Sequence, residues 1–219
     1  RSFGIIIPSR YASTRLPGKP LEDIHGKTLI QRVVENASSI KAAEFIMVAT
    51  DDDRIFNHVN TFGQAIMTQS NHSTGTDRIR ECLDHLDTIP DIIVNIQGDE
   101  PFIQPDLLDG LISRWKETKC RLVTAVAKIQ TTERLMASSV VKVVRAESGE
   151  AIYFSRSPIP HLRGVDPTEW VARRDYWVHI GVYGYDRATL AGYSKLAPTE
   201  LETVESLEQL RFLAHGFTF

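Results

Sequence analysis

The sequence predicts a three-layer α/β fold around a mixed, mostly parallel sheet, with a small β-rich lobe added in the second half. Short apolar runs alternate with helical patterns through the first half, the arrangement of a βαβ series. Ile92-Ile93-Val94 is apolar without alternation, as a central strand covered on both faces would be. From about residue 120 the pattern turns to β-rich segments.

The elements follow in order. Strands are expected at Phe3–Ile7, Phe45–Thr50, Ala65–Thr68 and Ile92–Ile96, with helices near Thr28–Ser38, Asp52–Thr61, Thr76–Leu86 and Gln104–Lys116. Further strands are expected at Leu122–Lys128, Val140–Arg145 and Tyr176–Tyr185, with a Pro/Gly-containing stretch from Ser157 to Pro167 between them. Ligands of open α/β sheets sit beyond the carboxyl ends of the strands, so the loops after Ile7, Ile66 and Ile96 are the places to search.

Length and composition bound the function. The 219 residues, taken as a single domain over 1–219, are enough to bury a substantial core. A net charge of −3 gives no general attraction for nucleic acid or an acidic membrane, so any bound anion must meet a local basic cluster. Cys82 and Cys120 form no C-x-x-C pair, which points away from disulfides and structural zinc and toward a reducing cytoplasm. No apolar stretch reaches the length of a membrane span, so no membrane insertion is expected. The chain begins at Arg1, and a preceding start is expected.

Arg10, Arg15 and Lys19 share one loop directly after the first strand, in I-P-S-R-Y-A-S-T-R-L-P-G-K-P-L. Three cations this close repel unless an anion sits among them, and guanidinium forks beside a Pro-Gly turn suit a polyphosphate. A solvated basic loop is the alternative. Gly26-Lys27-Thr28 and Gly18-Lys19 lack the earlier glycine of a P-loop, which excludes that motif.

In V-N-I-Q-G-D-E-P, Asp99 follows the central strand, where a carboxylate can hold Mg²⁺ against a triphosphate gripped by the basic loop. An ordinary turn residue is the alternative, and it is the preferred one for Glu100. Asp51, Asp52 and Asp53 read as helix-capping residues. The segment N-H-S-T-G-T-D-R, residues 71–78, can bring hydroxyls and backbone close to a nucleobase edge, or can simply cap a helix through Ser73 or Thr76. His179, Gly181, Tyr183 and Tyr185 alternate with Val178, Ile180 and Val182, so they share one strand face that suits a polyol or aromatic packing. Glu202, Glu205 and Gln209 fall at helical spacing opposite Leu201, Val204, Leu207 and Leu210, the pattern of a helix with a solvated charged face.

Taken together, P-S-R-Y-A-S-T-R-L-P-G-K-P-L, V-A-T-D, H-S-T-G-T-D-R, V-N-I-Q-G-D-E-P, Y-F-S-R, H-I-G-V-Y-G-Y and L-E-Q-L-R resemble the 3-deoxy-manno-octulosonate (Kdo) cytidylyltransferases, in family order across residues 8–211. The resemblance implies a Rossmann-like nucleotidyltransferase fold and the transfer of CMP from CTP to Kdo, for lipopolysaccharide biosynthesis. It implies that Arg10, Arg15 and Lys19 hold the CTP phosphates, that Asp99 binds Mg²⁺, and that His72, Ser73 and Gln97 help recognise cytidine. It implies a sugar site of Arg156, His179, Tyr183, Tyr185 and Gln209, with Arg156 and Gln209 taking the sugar carboxylate, and a homodimer.

The family pattern has a further segment, G-V-D-[ST]-x-x-D, whose first Asp completes the metal site. The chain stops at Phe219 before it, and Gly164-Val165-Asp166 is a chance echo in another part of the fold. The rival expectations are a cytidylyltransferase for another sugar acid, such as an amino analogue of Kdo or a sialic acid, and a nucleotide-binding module without turnover.

Overall fold

The computed structural model describes residues 2–12 and 16–219. These divide into two compact units, one of residues 1–123 and 181–195, the other of residues 124–180 and 196–219.

The first unit is built on a sheet whose first four strands are β1 (Phe3–Ser9), β2 (Ile46–Thr50), β3 (Ala65–Met67) and β4 (Ile92–Ile96). Their order is β3-β2-β1-β4, all parallel, and the second half of β8 (Trp177–Asp186) adds to β4 antiparallel, Tyr185 opposite Ile93 and Tyr183 opposite Asn95. Every residue of β1 and of β4 is buried, so both sheet faces are covered and the fold is three-layered, as the unbroken apolar runs predict. The covering helices are α1 (Leu29–Ala37), α2 (Asp53–Val59), α3 (Gly75–Cys82) and α4 (Pro105–Thr118).

Each of the first three helices starts on a side-chain cap that satisfies an otherwise orphan amide: Thr28 accepts from Gln31 N–H, Asp52 from Arg54 N–H, and Thr74 from Asp77 N–H. Asp52 is thus the structural cap the sequence indicates. For α3 the cap is Thr74, between the two expected candidates: its backbone is extended, with φ of −129°, and its hydroxyl reaches the third amide of the turn.

In the second unit, β5 (Leu122–Lys128, from Thr124 onward), β6 (Lys142–Arg145), β7 (Ala151–Ser155) and the first half of β8 make the β-rich lobe. β6 and β7 form an antiparallel hairpin with a register shift at Val144/Arg145. One core of this unit gathers Ile129, Leu135, Trp170, Tyr176 and Val178; another gathers Val143, Phe154, Leu207 and Leu210.

The helical reading of residues 201–210 is corrected here. Ser206, with φ of 53°, ends α8 (Glu200–Glu205), and the chain restarts as α9 (Gln209–Ala214). The break resets the rotation, so Leu201 and Val204 are 45% and 76% exposed while Glu202 and Gln209 are buried. A buried carboxylate needs a partner, and Glu202 has one: Arg211 Nε and Nη2 donate to its two oxygens at 2.7 and 2.6 Å. Glu205 turns inward as well, accepting from Ser155 Oγ at 2.5 Å and Arg156 N–H at 2.9 Å.

Candidate active site

In the first unit, the carboxyl ends of β1 and β4 lie side by side and open into a cleft of about 190 Å³, lined by Pro8, Ser9, Arg10, Lys19, Gln97, Gly98 and Asp99 among others. Two of the three strand-end loops singled out by the sequence therefore meet in one place. Gly98 makes the approach possible, since a Cβ there would stand 2.8 Å from the Pro8 carbonyl oxygen. The loop after β1 is closed at its base by Gly18 N–H donating to the Tyr11 carbonyl at 2.8 Å, and Gly18 takes φ of 76°, a conformation side chains resist. Arg54 of α2 lies 3.2 Å over the Tyr11 ring, pinning that base from above, and its guanidinium is itself held by Asp52.

Lys19 and Asp99 meet across the cleft at 2.8 Å with side chains 42% and 54% exposed. An ion pair this wet is worth about 0–1 kcal/mol, so an incoming anion for Lys19 and a cation for Asp99 can separate it cheaply. Arg10 Nη2 donates to the His72 carbonyl at 2.8 Å, which ties the first cation to the loop before α3. Arg15 lies outside the described residues. Ser73 is exposed and Gln97 partly buried, with the Gly181 backbone packed against the Gln97 side chain. The His72 imidazole turns to Glu81, which also accepts from the Gln69 N–H at 3.0 Å. Desolvation would raise the Glu81 carboxyl, but His72 and the Gln69 amide outweigh it and hold it below the ordinary carboxylate range.

Of the expected sugar-site residues, Tyr183 and Tyr185 belong to the first unit, where their rings stack at 5.9 Å; Tyr185 is buried and Tyr183 half-buried. Arg156, His179 and Gln209 belong to the second. Arg156 donates to the backbone carbonyls of Glu205, Ser138 and Ser206, capping the end of α8. His179 Nε2 lies 2.9 Å from Thr124 Oγ1 and its ring meets Phe154 edge-on; burial pushes the imidazole down to about 4. Gln209 is 3% exposed.

The cytidylyltransferase family model matches residues 4–219. Among curated relatives, a 3-deoxy-manno-octulosonate cytidylyltransferase of Cytophaga hutchinsonii is 45% identical over 99% of this chain and 87% of its own length. One of Fusobacterium nucleatum is 46% identical over 97% and 84%. The chain belongs to the 3-deoxy-manno-octulosonate cytidylyltransferase family. A solved structure of CMP:2-keto-3-deoxy-manno-octonic acid synthetase complexed with CTP superposes on this cytidylyltransferase with a TM-score of 0.91 at 40% identity, covering 100% of this chain and 88% of the other.

Among the described residues no group of three or more His, Cys, Asp or Glu side chains is arranged to hold an ion. Mg²⁺ in nucleotide sites is commonly held by one or two carboxylates plus phosphate oxygens and water, so the half-exposed Asp99 beside Lys19 is a chemically suitable donor. Glu100 adjoins it, its carboxyl raised by desolvation and then by the Asp99 charge.

Sequence reasoning missed two polar residues of this cytidylyltransferase that shape the cleft's surroundings. Arg78, the last residue of H-S-T-G-T-D-R, is fully buried and bonds Thr68 Oγ1 while pairing with Asp51 at 3.0 Å, which ties α3 to the ends of β2 and β3. Asp51, in V-A-T-D, is therefore the partner of a buried cation rather than a cap. Asn36 of α1 donates to the carbonyls of Ile103 and Pro101, at 2.5 and 3.3 Å, and anchors the loop that follows Asp99. Asn36 stands beside the apolar face of α1, whereas Arg78 lies in a polar stretch that does not mark it as buried.

Proposed function

We propose that this chain transfers CMP from CTP to the anomeric hydroxyl of Kdo, releasing pyrophosphate and giving CMP-Kdo for lipopolysaccharide biosynthesis. One observation carries the placement of the reaction: Arg10, Lys19, Gln97 and Asp99 surround a single cleft at the ends of β1 and β4. In this proposal Lys19 and Arg10, with Arg15, hold the phosphates and offset the charge that develops as pyrophosphate departs. Gln97 and the backbone around His72 and Ser73 read the cytosine edge, where hydrogen-bond donors and acceptors can distinguish it from a purine. Asp99 would hold Mg²⁺, which when bound supplies positive charge to the phosphate oxygens. The sugar acid's attacking hydroxyl reaches the α-phosphorus by positioning rather than by covalent catalysis. Arg156, His179, Tyr183, Tyr185 and Gln209 are assigned to the sugar acid as part of the same proposal, Arg156 and His179 with their present partners exchanged for it.

A homodimer and a cytoplasmic location belong to the proposal too. No helix among the described residues is long and apolar enough to cross a membrane. Sedimentation at micromolar concentration tests the dimer, and a monomer mass removes it.

The deciding experiment measures pyrophosphate release with CTP, ATP and GTP against Kdo and a panel of sugar acids. The expected result is release with CTP and Kdo; equal use of ATP would overturn the base-reading assignment.

A further inference from the structure

We propose that Glu81, on α3, is a positioning residue of the CTP site, fixing Arg10 in the cleft by way of His72. Its carboxylate, 14% exposed, does not serve its own helix in the way Asp84 does, which pairs with Arg80 one turn away at 2.5 Å. Glu81 instead turns onto the preceding loop. It accepts from the Gln69 N–H and holds the His72 ring, while His85, in the turn that follows α3, stays 3.7 Å away. A carboxylate only accepts, so the His72 Nε2–H donates to it.

One side chain therefore pins the loop at residues 69 and 72, and those pins set the direction of the His72 peptide. The His72 carbonyl accepts from Arg10 Nη2 at 2.8 Å. The imidazole lines a second cleft, of about 220 Å³, with Asp77, Arg80 and Asp84, and none of that cleft's lining residues lines the Arg10 cleft. His72 thus faces Glu81 with its ring and Arg10 with its backbone. An unrestrained arginine side chain samples many rotamers, so a fixed acceptor for one of its nitrogens leaves the rest of the fork preset for an anion.

The inference rests on Arg10 contacting CTP, and the test separates the two. Initial rates are measured for Glu81→Ala, Arg10→Ala and the double variant, varying CTP and the sugar acid independently. Glu81→Ala should raise KM for CTP roughly 5–20-fold, within the usual coupling of residues that share partners, with KM for the sugar acid unchanged. In the Arg10→Ala background it should add less than about twofold, because the group it positions is gone. An unchanged CTP KM in Glu81→Ala, or a full penalty multiplied onto Arg10→Ala, overturns the inference and leaves the site standing. An Arg10→Ala enzyme with normal CTP kinetics removes both. If Glu81→Ala loses its cooperative melt, Glu81→Leu, which removes both acceptors while keeping most of the side-chain volume, carries the same comparison with the same outcomes.

Discussion

Two polar regions of this molecule use their charges in opposite ways. At the cleft of the first unit, Lys19 and Asp99 are about half exposed and pair with each other, at a worth near zero. In the second unit, Glu202 and Arg211 are nearly sealed from water and joined by two hydrogen bonds, at 2.7 and 2.6 Å. Charges left wet and weakly paired remain available to a ligand. Charges buried and fully paired are committed to the fold, and removing one strands the other.

The sharpest way to break this contrast is Arg211→Ala. Leaving Glu202 buried without its partner should cost about 3–5 kcal/mol in urea unfolding, whereas replacing both by apolar residues of similar volume should cost much less. Equal costs would put this pair in the same class as the cleft. Next comes the reverse case: Lys19→Ala and Arg10→Ala should each lower turnover roughly 10²–10³-fold, about 2.7–4 kcal/mol of transition-state stabilisation, with the thermal melt unmoved. A lost cooperative melt would show that these cations hold the fold.

His179 sharpens the comparison through pH. Its folded pKa of about 4 lies below the ordinary value near 6.5, so the neutral ring is the form the fold accepts. Its contribution is present above about pH 6.5 and is lost as pH falls toward 4, by up to about 3 kcal/mol at 1.4 kcal/mol per unit. Urea midpoints taken at pH 7 and pH 4.5 should separate more in the parent protein than in His179→Phe. The smallest effect belongs to Val204→Ser, which should fall within about 0.5 kcal/mol because the side chain is 76% exposed. A core-sized loss would restore the helical face expected from the sequence.

The same contrast explains what could be read before folding. β1, β4 and the helices between them are visible because each is a local pattern: an apolar run, then a period of 3.6, then polar residues at the strand end. Arg10, Lys19, Gln97 and Asp99 are legible for that reason, since each stands within a few residues of a strand terminus that the topology brings beside its neighbour. β7 escapes notice although Ala-Ile-Tyr-Phe is apolar, because a run of five residues at a sheet edge is too short for its period to tell a strand from another buried segment. Ser206 breaks the last helical pattern through a left-handed backbone that composition does not announce, and with it the assignment of inner and outer faces fails. Arg78 with Asp51 and Glu202 with Arg211 join residues 27 and 9 positions apart, and nothing local marks which charges will find each other.

Gly98 carries a consequence for how this cleft can diversify. Its backbone rests on the carbonyl of Pro8 with no room for one more carbon, so part of the cleft is main chain against main chain. Side chains can swing aside or be traded for shorter ones; a peptide plane resting on another has neither option without dragging its strand along. That part of the site behaves as a fixed gauge, and new substrate preferences have to arise from the side chains on the surrounding walls. An inhibitor shaped to the gauge would meet the same contour in every variant that keeps Pro8 and Gly98 in register, which makes it the part of the cleft where resistance by substitution has the fewest routes.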